Sequence, residues 1–129
     1  MLGCKTYLPY TVKQNSNVSQ FRFPCRGCAY KNRLNTWKAY SSSIESRLNK
    51  EIDNSYLEFQ EEPTNNADPD AIKVMVRGEY YGMAGYVGRE YTSWIRDILS
   101  YATSYRLDVE NKRDIGNNTI NLVLSWTQD

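Results

Sequence analysis

Apolar positions along this chain follow two periods, and the switches between them mark out the elements. From Val18 to Tyr30 the run VSQFRFPCRGCAY alternates, with Phe21, Phe23 and Cys25 on one face and Arg22, Pro24 and Arg26 on the other, the two-residue period of a strand. Pro24 cannot donate to a ladder, so the reading puts this strand at an edge or a bulge, and Gly27 permits a bend. Trp37, Tyr40, Ser41, Ile44 and Leu48 then recur at helical spacing behind Thr36, a capping residue type, which predicts a helix over 36–51. Strands are predicted at 56–60 and 71–77, where Leu57, Phe59, Ile72, Val74 and Val76 share one face across a turn crowded with Glu, Asn, Asp and Pro. A strand rich in Tyr and Gly follows at 80–87. Tyr91, Trp94, Ile95, Ile98, Leu99 and Ala102 give the i, i+3, i+4 pattern of a second helix. The chain closes with strands at 104–110 (Tyr105, Leu107, Val109 inward) and 119–126 (Ile120, Leu122, Leu124, Trp126 inward), joined by the turn sequence NKRDIGNN. The first 17 residues carry no clear pattern beyond a strand at Thr6 to Val12 broken at Pro9.

These six strands and two helices are not spaced as crossover units, which excludes a parallel sheet. They predict a mainly β, α+β fold: a small, mostly antiparallel six-stranded barrel capped by helices. At 129 residues the chain forms one domain, 1–129, able to bury a core without staples. No linker or internal repeat divides it. No apolar run approaches the ~20 residues of a membrane helix. The start, MLGCKTYLPYTVKQNSNVSQ, lacks the basic, apolar and cleavage regions of a secretory signal. The expectation is an intracellular protein, cytoplasmic or, in a eukaryote, nuclear, with no membrane partner.

A net charge of +1 conceals an uneven distribution. Residues 1–50 hold nine basic side chains against Glu45, and residues 51–70 hold seven acids and no base. A basic face for a polyanion and a separate acidic segment follow from that asymmetry, unless the two blocks meet and neutralise each other. The three cysteines are Cys4, Cys25 and Cys28, an odd number that favours reduced thiols. Cys25-x-x-Cys28 lacks the further ligands of a structural zinc site in a chain without histidine. It also lies in a strand-like run rather than a thioredoxin-like βαβ unit, so the thiols are expected to pack as small apolar groups.

Absence of histidine excludes serine–histidine and cysteine–histidine nucleophile systems. No phosphate-binding loop motif occurs, and Gly82-x-x-Gly85-x-x-Gly88 lacks the dinucleotide-binding order. The acids Glu58, Glu61, Glu62, Asp68 and Asp70 suit a solvated turn with Asx-type bonds better than a magnesium site. The expectation is therefore a non-catalytic protein without cofactor or metal. Its chemistry lies in cations interleaved with rings: Arg22, Arg26, Lys31 and Arg33 among Phe21, Phe23, Tyr30 and Trp37, and Arg89 between Tyr86 and Tyr91. Single-stranded nucleic acid is bound by that combination, cations tracking phosphates and rings stacking on bases. Phe21, Phe23 and Trp94 are expected in the core, leaving the arginines of the polar strand face as the surer contacts.

The segment 57–90, LEFQEEPTNNADPDAIKVMVRGEYYGMAGYVGRE, resembles the HIRAN family. The resemblance is carried by Leu57, Phe59, Glu62, Pro63, Asn65, Asp68, Asp70, Ala71, Ile72, Val74, Gly78, Gly85, Tyr86, Val87, Arg89 and Glu90. It implies an OB-like barrel with its motif core at 56–102, binding single-stranded DNA or DNA 3′ ends. An Asp at the position of Asp68 would accept from the terminal hydroxyl. Ala67 stands where a stacking aromatic is found, Tyr86 where a polar ring can stack or donate to phosphate, and Arg26 and Tyr30 match the first strand loosely. The expected DNA-binding set is Arg22, Arg26, Tyr30, Lys31, Arg33, Asp68, Tyr86, Arg89 and Tyr91. Because HIRAN domains are usually attached to helicases or nucleases, a helicase or nuclease is a second expected partner. The alternative is a stand-alone interaction or inhibitor protein, of the kind a phage or mobile element encodes, docking on a nucleic-acid enzyme through acidic segment 51–70.

Overall fold

The structure, a computed structural model, describes residues 6–7, 18–48, 55–78 and 80–128. Seven strands form one sheet: β1 (Thr6–Tyr7), β2 (Val18–Arg26), β3 (Tyr56–Glu61), β4 (Ile72–Arg77), β5 (Gly82–Val87), β6 (Ser104–Val109) and β7 (Thr119–Thr127), in spatial order β1-β6-β7-β2-β5-β4-β3. All pairings are antiparallel except the two-residue match of β1 to β6. Helix α1 (Arg33–Leu48) lies between β2 and β3, and α2 (Thr92–Tyr101) follows a 3-10 turn at Arg89–Tyr91. The predicted mainly β, α+β architecture is thus the one adopted. Of the first 17 residues only Thr6–Tyr7 is described; the rest of the strand expected there, Cys4, and the end of the helix expected to reach 51 lie outside the described residues.

The sheet curls without closing into the expected barrel. Register shifts between Val74 and Met75 against β5, a bulge that adds local twist. The curl brings β3 back toward β6, where the Tyr105 ring stacks on Phe59 (centroids 5.4 Å apart) and its hydroxyl accepts from the Phe59 N–H at 3.1 Å. A side chain, not a ladder, bridges that gap. The concave side holds the core of Phe23, Leu57, Phe59, Ile72, Val74, Leu107, Ile120, Leu122 and Leu124, closed by Ile95 and Leu99 of α2 and by Trp37 and Tyr40 of α1. Trp37 pins α1 to the sheet by donating from Nε1 to the Ala84 carbonyl at 2.9 Å.

Four local expectations need correction. Strand β2 is central, paired to β7 along its whole length and to β5 at Cys25 and Arg26. Pro24 is tolerated because its β5 side lies beyond the end of that ladder, where the chain has turned and only the Gly88 N–H reaches the Pro24 carbonyl, at 2.9 Å. The strand ends at Arg26 rather than Tyr30, since Gly27 takes φ +74° and Cys28 N donates to Asn118 O at 2.8 Å. Helix α1 begins at Arg33, with the Asn32 carbonyl accepting from Asn35 and Thr36, so Thr36 is one turn in and buried rather than a cap. Trp94 is 62% exposed, not core. The core stripe of α2 runs through Ile95, Ile98 and Leu99, and Trp94 sits off it, stacked at 6.2 Å on a half-buried Phe21.

Candidate functional site

The turn from Gly27 to Asn32 carries Tyr30 and Lys31 to the surface and delivers the chain into α1. Lys31 holds φ 53°, the left-handed region that costs a non-glycine residue about 1 kcal/mol or more. Its Nζ lies 5.0 Å from the centre of the exposed Tyr30 ring. The Arg33 guanidinium lies 5.2 Å from the Tyr30 ring and 5.4 Å from the Tyr86 ring, and its Nη1 donates to the Gly27 carbonyl at 2.9 Å. Cation–π contacts of this kind orient a guanidinium without consuming its charge. Beside them opens a cleft of about 630 Å³, lined by Tyr30, Lys31, Asn32 and Arg33 on one side and Tyr80 and Met83 on the other. Among the described residues, Lys31 and Arg33 make no ion pair with a carboxylate.

Tyr86 joins this cleft to the acidic turn. It sits on β5 opposite Arg26 of β2 and Lys73 of β4. Its hydroxyl donates to Glu62 Oε1 at 2.7 Å, and the same oxygen accepts from Asn65 Nδ2 at 2.9 Å while Lys73 Nζ reaches Oε2 at 3.3 Å. The Tyr86 hydrogen bond, more than Asn65 and Lys73, holds the Glu62 carboxyl below its usual pKa against the opposing effect of burial. Burial, then the neighbouring Glu62 carboxylate, raises the Tyr86 phenol. With its hydroxyl so engaged, Tyr86 presents its ring to the Arg33 guanidinium.

Asx-type bonds build the turn itself. Asn65 Oδ1 accepts from the amides of Ala67 and Asp68 at 3.0 and 3.1 Å, and Asp68 Oδ1 accepts from Asp70 N at 3.1 Å. Asp68 Oδ2 belongs to a partly buried side chain and lies 3.8 Å from Nε of the largely exposed Arg89. From α2, Arg96 grips both ends of the turn, pairing with Glu61 and donating from Nη2 to Asp70 O at 2.9 Å. Among the described residues no cluster of His, Cys, Asp or Glu has the arrangement of a metal site.

Of the expected set, Tyr30, Lys31 and Arg33 line the cleft, Tyr86 meets them through the Arg33 guanidinium, and Asp68 and Arg89 meet each other at the turn, linked to Tyr86 through Asn65 and Glu62. Arg26 lies beside Tyr86 but pairs with Glu90 at 2.5 Å. Arg22 is elsewhere, held by Glu110 at 2.8 Å. Tyr91 packs edge-on against Phe21, 6.2 Å away, as a wall of the core. Sequence reasoning missed Asn32, Tyr80, Lys73 and Arg96. Lys73 alone carried a signal, as the polar position alternating with Ile72 and Val74.

Among the described residues, Glu58, Glu61, Glu62 and Asp68 pair with Arg77, Arg96, Lys73 and Arg89, all C-terminal to the acidic segment. Compared with known protein families, with characterised proteins and with solved structures, the chain gives no match in any of the three.

Proposed function

We propose that this chain is a non-catalytic, HIRAN-like module that binds single-stranded nucleic acid, with DNA 3′ ends as its preferred target. The observation that carries the reading is Arg33, held between the Tyr30 and Tyr86 rings with its charge unspent on any carboxylate of the described residues, at the mouth of an open cleft. Lys31 beside it and the exposed ring of Tyr30 supply a second phosphate contact and a stacking surface. The motif resemblance adds the terminal position. There Asp68 Oδ2 accepts a 3′-hydroxyl, while its charge disfavours a 3′-phosphate, an effect that Arg89 nearby reduces.

The competing reading, docking on an enzyme through segment 51–70, is weakened by the pairing of Glu58, Glu61, Glu62 and Asp68 with cations of the same chain. Phosphate mimicry needs carboxylates whose field is not already compensated. The test measures binding of labelled single strands ending in 3′-hydroxyl or 3′-phosphate over a range of salt. Salt-dependent binding that favours the hydroxyl, with the preference lost in Asp68→Asn, supports the proposal. Absent binding, or equal and salt-insensitive binding of both strands, overturns it.

A further inference from the structure

We propose that Cys25 and Cys28 are a redox-active pair that closes to a disulfide on exposure to peroxide, and that closure weakens the adjoining cleft's hold on a nucleic-acid strand. The second half rests on the binding role proposed above; the first half stands alone. The two sulfurs lie 3.4 Å apart across the turn Cys25-Arg26-Gly27-Cys28, and both side chains are buried. A bond at ~2.05 Å therefore needs an approach of only about 1.4 Å. Gly85 leaves the space for it, because a Cβ there would stand 2.8 Å from the Cys25 sulfur and 3.1 Å from the Cys28 sulfur.

The two thiols are not equivalent. The hydrogen bond shared with Cys25 draws the Cys28 thiol below its usual pKa despite burial, with the Arg33 charge adding to the effect, whereas burial pushes Cys25 well up. Cys28 is thus the nucleophile and Cys25 the resolving thiol. The Cys28 thiolate attacks one oxygen of hydrogen peroxide, breaking the O–O bond to give the sulfenic acid and hydroxide. The Cys25 sulfur then displaces the sulfenic oxygen, which leaves as water, so that two thiols and one peroxide become one disulfide and two waters. Cys28 itself is fully buried, so the oxidant must be as small as peroxide, entering past the partly exposed Gly27 and Ala29 that flank it in the chain.

Coupling to the cleft follows from which sulfur can move. Cys25 is fixed in the ladder between Ile120 of β7 and Val87 of β5. Cys28 lies past the end of that ladder, where its N–H donates to Asn118 O at 2.8 Å and its thiol to the Cys25 carbonyl at 3.1 Å, so closure breaks the thiol's bond and displaces Cys28 and the turn around it. That turn contains the Gly27 carbonyl that anchors Arg33 and the Tyr30 ring on which Arg33 rests.

The test uses the full chain with Cys4→Ser, so that only these two thiols remain. After peroxide and alkylation of the denatured protein, the mass should show loss of two hydrogens, about 2 Da, with no alkyl groups added, reversed by dithiothreitol. Affinity for a 3′-hydroxyl single strand should fall roughly fivefold or more on oxidation and recover on reduction, as expected when an anchoring side chain loses its support. The further substitution Cys28→Ser should abolish both changes. Two alkylated thiols after peroxide, or oxidation to sulfinic acid without a disulfide, overturn the pair; a disulfide that leaves affinity unchanged overturns the coupling. Should the reduced protein bind no strand at all, the binding role fails while the mass measurement still decides the chemistry of the pair.

Discussion

The Tyr86 hydroxyl donates to Glu62 Oε1 at 2.7 Å, and this bond steers the ring whose face carries the Arg33 guanidinium. One contact thereby ties the acidic turn to the cation cleft. Tyr86→Phe keeps the ring and removes the donor, leaving the partly buried Glu62 with Asn65 and Lys73. The expected loss is about 1–2 kcal/mol in urea unfolding at neutral pH. Strand binding should weaken far less than in Tyr86→Ala, which removes the stacking surface as well.

The same bond sets a pH dependence with a definite sign. Glu62 has a lowered pKa in the folded protein, so its stabilisation is complete above the ordinary carboxyl value of 4.5 and fades as pH falls through the folded value. Tyr86 has a raised pKa, so its contribution is complete below the ordinary phenol value of 10.0 and fades as pH rises through the folded value. Unfolding free energies measured across both limbs should decline at each end. In Tyr86→Phe the alkaline decline should shrink and the acid one flatten. Unchanged limbs would show that the bond does not form in solution.

Lys31 and Arg33 should report through salt. Each phosphate contact on a single strand contributes a slope of about 0.7 in the log–log dependence of affinity on salt. Arg33→Ala and Lys31→Ala should each lower that slope by about this amount, whereas Arg22→Ala, at the Glu110 contact, should leave it unchanged. Lys31→Gly separates function from folding. It relieves a left-handed φ of 53° and should leave stability equal or up to ~1 kcal/mol higher while still weakening binding. A uniform effect of all these substitutions would argue for nonspecific attraction.

What the sequence made legible were the elements whose pattern is set locally. Alternation located β3, β4, β6 and β7, and helical periodicity located α2, because each buries one face on a common core. What it hid depends on neighbours distant in the chain. The ladder of β2 to β5 brings Arg26 beside Tyr86 and makes β2 central, which no local rule about Pro24 reveals. Arg22 and Arg26 share a strand face, yet four residues of strand separate them by about 13 Å, enough to give them different carboxylate partners. Tyr30 and Lys31 were found through the interleaving of cations with rings and, for Tyr30, a loose match to the family pattern, and their placement depends on the Gly27 turn and the start of α1 three residues earlier than the spacing predicted.

Gly85 should prove intolerant of any side chain. A Cβ there would stand 2.7 Å from the Arg26 carbonyl oxygen and 2.8 Å from the Cys25 sulfur, neither at the end of a flexible chain. Gly85→Ala must push β5 from β2 or displace the thiols, at about 2–3 kcal/mol. Thermal unfolding measures that loss, and a variant within 0.5 kcal/mol of the parent, about the scatter of surface substitutions, would show that β5 can slide.

The open seam between β3 and β6 gives the last expectation. The Phe59 amide is buried, and among the described residues no neighbouring strand offers it a carbonyl on that side; its acceptor is the Tyr105 hydroxyl at 3.1 Å. Tyr105→Phe preserves the stacking on Phe59 but strands the amide, a loss of about 1–3 kcal/mol for a buried donor without a partner. Hydrogen exchange tests it at one residue. The Phe59 amide should lose protection by more than the global destabilisation explains, while those of Leu122 and Leu124 in central β7 should slow or quicken only with global stability. If Phe59 instead tracks them, the edges are joined by more than this side chain, and the sheet is a closed barrel in solution.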